Sequence, residues 1–367
     1  MKITFSKNEL INSINISLKA VSSKTTMKIL ECILIEANDN VVFTTNDNDI
    51  AIKTIVGGDI IINEPGTVAV DAKMFSEAIK KMPDSEIIVM YDNDKLEIRC
   101  DNCNYSIPAF NGDDYVRMKD IEETEYISIS QFALKEIIRQ TIFSISNNEN
   151  SKMMSGEYFE VENNRLKVVA LDGHRIALRN IELAKSYGSI KAIVPGKSLN
   201  ELSKILNDDH DKIVDIYFTS NLVVFKFDDT VFSSRLIEGE YYKINQMISN
   251  NYETKIKINR KDFFDSIDRA SILARDGDKK PVILNITDGD MEVIIKSTLG
   301  NMNGKVDIEK TGKDIMIGFN PSYLMDILKV IDDEYVDCYM VNSRFPCIIK
   351  NEDESYIYLV LPINFVV

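Results

Sequence analysis

The sequence predicts an α+β protein of three repeated domains, each made of two βαβββ-like units with two helices on antiparallel sheet. Three observations predict it. Short alternating runs are followed by apolar residues at helical spacing. The pattern recurs at a near-constant interval along 367 residues, enough for two or three domains with real cores. Charge is divided unevenly between the inferred helices and everything else.

The first set of units opens at Ile3, Ile127 and Ile256, where the residues alternate as short strands. Ser6, Ser130 and Asn259 follow as N-caps, because a short side-chain oxygen satisfies an amide that the first helical turn leaves open. Leu10 and Ile14, Leu134 and Ile138, and Phe263 and Ile267 then mark one buried stripe per helix. The second set opens at 68–70, 193–194 and 315–317 and leads into helices over 73–82, 197–206 and 320–330. Three strand-like runs follow each helix, in the last unit 336–340, 347–350 and 356–361. Ile127 lies 124 residues after Ile3, and Ile256 lies 129 after Ile127. Boundaries in the polar stretches 119–125 and 249–254 give domains 1–120, 125–248 and 254–367.

The chain carries 43 Lys and Arg against 58 Asp and Glu, a net charge of −15. That excludes a uniformly basic nucleic-acid coat. The six inferred helices nevertheless sum to +5, so the remainder carries −20. A positive helical layer on an acidic body suits encirclement of a polyanion, although helices also tolerate Lys and Arg well in general. With helices about 10 Å apart, six make a circle of about 19 Å and twelve one of about 38 Å, and only the second clears a duplex about 20 Å wide. Two chains are therefore needed to surround DNA.

Signals for chemistry are sparse. No P-loop, dinucleotide glycine fingerprint or nucleophile elbow occurs. His174 follows Asp172-Gly173, a turn dipeptide, and a hydrolase built on Asp172 and His174 is the competing enzyme reading. His210, Asp47 and Asp49 read as solvated loop residues. Cys100 and Cys103 have metal-ligand spacing but lack a second pair, so no metal site is expected. Five scattered cysteines fit thiols of a reducing cytoplasm. Residues 1–8 lack the apolar core of a secretory signal, and 356–367 is too short to span a bilayer. Lys24, just beyond a helix, and Lys197, opening one, are candidate phosphate contacts.

Five motifs, in order along the repeat, resemble the bacterial beta sliding clamps, processivity subunits of DNA polymerase III. They are Thr-Met-Lys-Ile-Leu at 26–30, Leu-Asp-Gly-His-Arg-Ile-Ala at 171–177, Phe-Ser-Ser-Arg-Leu-Ile-Glu-Gly at 232–239, Asn-Pro-Ser-Tyr-Leu-Met-Asp-Ile-Leu at 320–328 and Leu-Pro-Ile at 361–363. The resemblance spans the chain. It implies the DNA clamp fold, a head-to-tail homodimeric ring around double-stranded DNA, and no catalytic residue or cofactor. It implies as partners a replicative polymerase, a separate ATP-driven clamp loader and other proteins that carry a short hydrophobic peptide.

The same resemblance places the peptide cleft at Met154, Leu171, Gly173, His174, Arg175, Ile176, Tyr242, Gln246, Met247, Tyr323, Leu359, Leu361, Pro362 and Ile363. Met side chains suit varied partners because they adapt their shape. It points to Lys24, Lys73, Lys197 and Lys152 for DNA, and to Tyr105 and Ile107 against Ile272 and Leu273 for the subunit contact. Three positions depart from the family pattern: Tyr242 stands where many members have Pro, Gln246 where they have Arg, and Asn364 where a basic residue is usual. A ring scaffold of this fold that recruits proteins without DNA is the third reading.

Overall fold

A computed structural model describes residues 1–22, 25–117, 125–148, 151–274 and 280–365. In the first third the order is β1 (Lys2–Phe5), α1 (Lys7–Ser17), β2 (Cys32–Ala37), β3 (Val41–Asn46), β4 (Ile50–Ile55), β5 (Ile61–Glu64), β6 (Gly66–Asp71), α2 (Ala72–Lys81), β7 (Ile87–Asp92), β8 (Lys95–Cys100) and β9 (Cys103–Asn111). The middle third holds β10 (Tyr126–Ser130), α3 (Gln131–Thr141), β11 (Gly156–Leu171), β12 (Arg175–Pro195), α4 (Gly196–Ser203), β13 (Ile213–Phe218), β14 (Leu222–Phe227) and β15 (Thr230–Arg235). The last holds β16 (Thr254–Asn259), α5 (Arg260–Ser271), β17 (Val282–Ile286), β18 (Asp290–Ser297), β19 (Gly300–Gly312), β20 (Ile315–Phe319), α6 (Pro321–Val330), β21 (Tyr335–Met340), β22 (Cys347–Lys350) and β23 (Tyr356–Val360).

These elements pack into two compact units, one of Met1–Lys135 with Lys197–Leu236, the other of Glu136–Gly196 with Ile237–Val367. The first holds a 13-stranded sheet in the order β10-β13-β14-β15-β4-β3-β2-β6-β9-β8-β7-β1-β5. The second holds a 10-stranded sheet in the order β11-β12-β23-β22-β21-β16-β19-β18-β17-β20. The expected helix stripes are the cores. Leu10, Ile14, Phe75 and Ile79 pack on the strands of the first third, and Phe263, Ile267, Leu324 and Leu328 on those of the last. Each such side chain, fully buried, contributes roughly 1.5–3 kcal/mol.

The expected units differ from the observed ones in detail. Asn259 caps α5 by accepting from the Lys261 and Asp262 amides, and Ser130 Oγ accepts from Ala133, but the Ser6 side chain makes no cap bond. In the middle third two strands expected to be separate are one, β12, which runs past Gly188 to Pro195 and stays paired with β11 through register shifts opposite Val161 to Arg165. The boundary at 119–125 lies almost wholly outside the described residues.

The repeat is plainest at two tight turns. The Asp47 amide donates to Ile50 O at 3.0 Å and the Asp172 amide to Arg175 O at 3.3 Å. Each aspartate Oδ1 accepts two following amides, those of Asp49 and Ile50 or of His174 and Arg175. Asn48 and Gly173 supply the positive φ, 76° and 88°. After each turn the strand pairs with the closing strand of the next third: β4 with β15, and β12 with β23. Arg235 N–H reaches Asp49 O at 2.9 Å, and Leu361 N–H reaches His174 O at 2.8 Å. By the same rule the third copy is the β18–β19 turn, Ser297 to Gly300.

Candidate functional site

The turn at 172–175 joins β11 to β12 and sits beside a second, smaller apolar cluster of the second unit. Val169, Leu171, Ile176, Leu178, Ile244, Ile348, Ile357 and Leu359 form its buried floor. Met154, Tyr158, Tyr241, Tyr242, Ile248 and Tyr339 pack around it, half-buried. Strand alternation explains the floor: Leu359 and Ile357 face this cluster while Tyr356, Tyr358 and Val360 face the main core. The segment after β15 is fixed by Ile244 in the 3-10 turn Ile244–Gln246 and by the Tyr241 ring stacked on Tyr158 at 4.9 Å. Burial pushes the Tyr158 and Tyr241 phenols up, so both stay neutral donors.

Of the expected cleft residues, Met154, Leu171, Ile176, Tyr242 and Leu359 meet in this one cluster. Met247 is 45% exposed and Leu361 38% exposed. Gln246 is exposed on the same short segment. Gly173 and His174 form the exposed tip of the turn, with the imidazole 6.1 Å from the Tyr323 ring. Pro362 and Ile363 continue past β23, and Ile363 N–H donates to Gly318 O.

Arg175 faces inward. Nε donates to Asp172 Oδ2 at 2.9 Å, one terminal nitrogen to Asp326 Oδ2 at 2.7 Å and the other to Phe143 O at 2.5 Å. Its guanidinium also lies over the Tyr323 and Phe143 rings, at 4.5 and 5.3 Å. It ties the turn to α6, and two of its five N–H groups remain for a bound chain. Asp172 is committed to that guanidinium and to two amides, the role of a turn cap rather than of a base.

Residues that sequence reasoning missed are Ile244, Ile248, Ile348, Ile357, Tyr158, Tyr241 and Tyr339, together with the Arg175 partners Phe143 and Asp326. Alternation in β22 and β23 was the available signal for Ile348 and Ile357. Asp47, read as a solvated loop acid, is instead largely buried and accepts from Lys197 Nζ at 2.8 Å. The turn buries it because its carboxylate caps two amides. His210 is exposed as expected, but its ring lies 3.9 Å from Phe132. All five cysteines are free, and Cys100 and Cys103 face each other across a hairpin.

Lys73 and Lys197 are second residues of α2 and α4, both exposed, and Lys152 is exposed in the turn Lys152–Ser155. Lys24 lies outside the described residues. Ile107 is buried and Tyr105 packs on the same core, and among the described residues, 103–108 of β9 pair with β8 alone. Ile272 is 58% exposed, while Leu273 packs on the core of the last third. Among the described residues no helix is long and apolar enough to cross a membrane.

Three family models tile the chain: DNA polymerase III beta subunit N-terminal domain over 1–119, central domain over 128–243 and C-terminal domain over 245–364. The chain belongs to the DNA polymerase III beta subunit family. It is 35% identical over 377 residues to the beta sliding clamp of Bacillus subtilis, covering 99% of this chain and 100% of that one. It is 34% identical over 378 residues to that of Staphylococcus aureus, covering 99% of each. Among solved structures, a putative DNA polymerase III beta subunit from Eubacterium rectale superposes with a TM-score of 0.96 at 50% identity, covering all of both chains. The DNA polymerase sliding clamp of Bacillus subtilis does so with a TM-score of 0.96 at 34% identity, again over all of both chains. Membership in this family makes the chain a non-catalytic processivity subunit, and the α+β clamp fold follows from the same matches.

Proposed function

We propose that two copies of this chain close head to tail into a ring around double-stranded DNA, and that the cluster around Leu171, Ile176 and Leu359 receives short hydrophobic peptides of a replicative polymerase, a clamp loader and other clients. The ring reading takes the chain as three domains, 1–120, 125–248 and 254–367, working in the cytoplasm as its free thiols suggest.

One observation carries the ring. Within the chain, the strand after the Asp47 turn and the strand after the Asp172 turn each pair with the closing strand of the next third. Among the described residues two equivalents have no such partner: residues 300–307 of β19, paired only with β18, and residues 103–108 of β9, paired only with β8. The Ala109 amide bonds inward to Asp94 O, so by alternation Asn104, Ser106 and Pro108 direct their backbones to the free edge. Pro108 has no amide to leave unpaired there. A second copy completes the pattern, with Asn301 opposite the partner's Ser106. Lys73, Lys152 and Lys197, with Lys24, are the proposed phosphate contacts, holding without reading sequence.

The test uses Ser106→Cys with Asn301→Cys in one chain. Oxidation should give a covalently closed dimer, and a ring placed on nicked circular DNA by a bacterial clamp loader and ATP and only then oxidised should stay there in high salt and leave after linearisation. A chain that dimerises without this cross-link has another register, and equal retention on linear DNA refutes encirclement.

A further inference from the structure

In all three repeats the closing strand runs on beside the strand that leads into the second helix. Phe110 pairs with Ala69, Ile237 N–H donates to Ile193 O at 2.9 Å, and Ile363 N–H donates to Gly318 O at 2.8 Å. Ala69, Ile193 and Gly318 each lie three residues before their helix begins. Two residues beyond the paired position, the first two repeats carry Gly112 and Gly239. In the third the sizes are exchanged: glycine is on the strand, at 318, and the tail carries Phe365. A Cβ built on Gly318 would lie 2.7 Å from Phe365 Cδ1 and 3.3 Å from Cε1. The ring, with Ile363 O at 3.0 Å from that Cβ, therefore fills the space that a side chain at 318 would occupy.

We propose that Phe365 is a positioning residue for the peptide cleft: seated on Gly318, its ring pins the C-terminal tail and holds Leu361, Pro362 and Ile363 as a preformed cleft wall. The role rests on the cleft reading above. β23 ends at Val360, so these three residues lie beyond the last ladder. Their backbone is held by the Leu361 and Ile363 amides, on His174 O and Gly318 O, and Pro362 has no amide to add. A segment beyond the sheet held by two amides alone is ordered more firmly when a side chain docks it. The Phe365 ring removes apolar surface from water at the point where docking is needed. With the tail already ordered, an arriving peptide does not bear the cost of ordering Leu361.

The full chain, titrated with a fluorescein-labelled Gln-Leu-Ser-Leu-Phe peptide and followed by amide exchange, tests this. Phe365→Ala should weaken peptide binding about tenfold, the scale of immobilising one or two side chains. It should also speed exchange at Leu361 and Ile363 while leaving α5 exchange and dimer mass unchanged. Phe365→Leu should restore most of both, and Gly318→Val, which fills the seat from below, should reproduce the alanine variant. Unchanged exchange in Phe365→Ala, or faster exchange with unchanged affinity, overturns the role of Phe365 alone. Absence of binding by the wild type, or binding that survives Met247→Asp, overturns the cleft reading and this role with it.

Discussion

Glu157 is the second residue of β11 and is fully buried. One carboxylate oxygen accepts from Thr141 Oγ1 at 3.0 Å, and the other has no partner. Burial raises its pKa from 4.5 to about 8, against a smaller lowering by Thr141. The folded chain thus keeps a proton that the unfolded chain has already released. Stability is full below about pH 4.5, falls as pH rises through the interval up to about 8, and stays low above it. At about 1.4 kcal/mol per unit of pKa, the full loss is about 5 kcal/mol, of which about 3 kcal/mol falls between pH 5.5 and 9. Glu157→Gln keeps an acceptor for Thr141 and cannot ionise. Urea unfolding of both proteins at several pH values, compared at unchanged m, isolates the effect. The wild type should lose about 3 kcal/mol relative to the glutamine variant across that interval. A difference that stays flat from pH 5.5 to 9 would refute a buried, proton-holding Glu157.

Four further outcomes are expected. Met247→Asp should abolish saturable binding of the Gln-Leu-Ser-Leu-Phe peptide in a polarisation titration, since it puts a charge beside an apolar floor, with thermal stability changed by less than about 0.5 kcal/mol at an exposed site. Ser106→Pro removes an amide that the monomer does not use, so sedimentation velocity should show at least a tenfold weaker dimer with the monomer still folded. Lys73→Glu should shorten retention on circular DNA and lower the salt dependence of binding by about one phosphate equivalent. Lys197→Glu should in addition destabilise the first unit, because Lys197 also holds Asp47.

Much of the fold was legible because its signals are local. Leu10 with Ile14 and Phe263 with Ile267 are four apart, and a helix buries such residues wherever it packs. Asn259 and Asn320 cap their helices with bonds that reach only two or three residues. The Asp172–Gly173 turn was legible for the same reason. The partners of Arg175 were not, since Phe143 is 32 residues away and Asp326 is 151. Asp47 was misread because its mate, Lys197, is 150 residues distant and the loop composition alone looks solvated.

The threefold repeat, the helix stripes, the Asp172–Gly173 turn and the family could be read from the residues alone, because all depend on spacing within one unit or on motifs taken in order. Only the tertiary structure decided that Arg175 faces inward, that Ile348 and Ile357 complete the floor beside Leu359, that β9 and β19 each keep an open edge, and that Phe365 fills the place of a side chain at Gly318. The physical reason is common to all four. Each depends on which backbone lies next to which across many residues of chain, and strand pairing, unlike helical periodicity, leaves no mark of its partner in the local pattern.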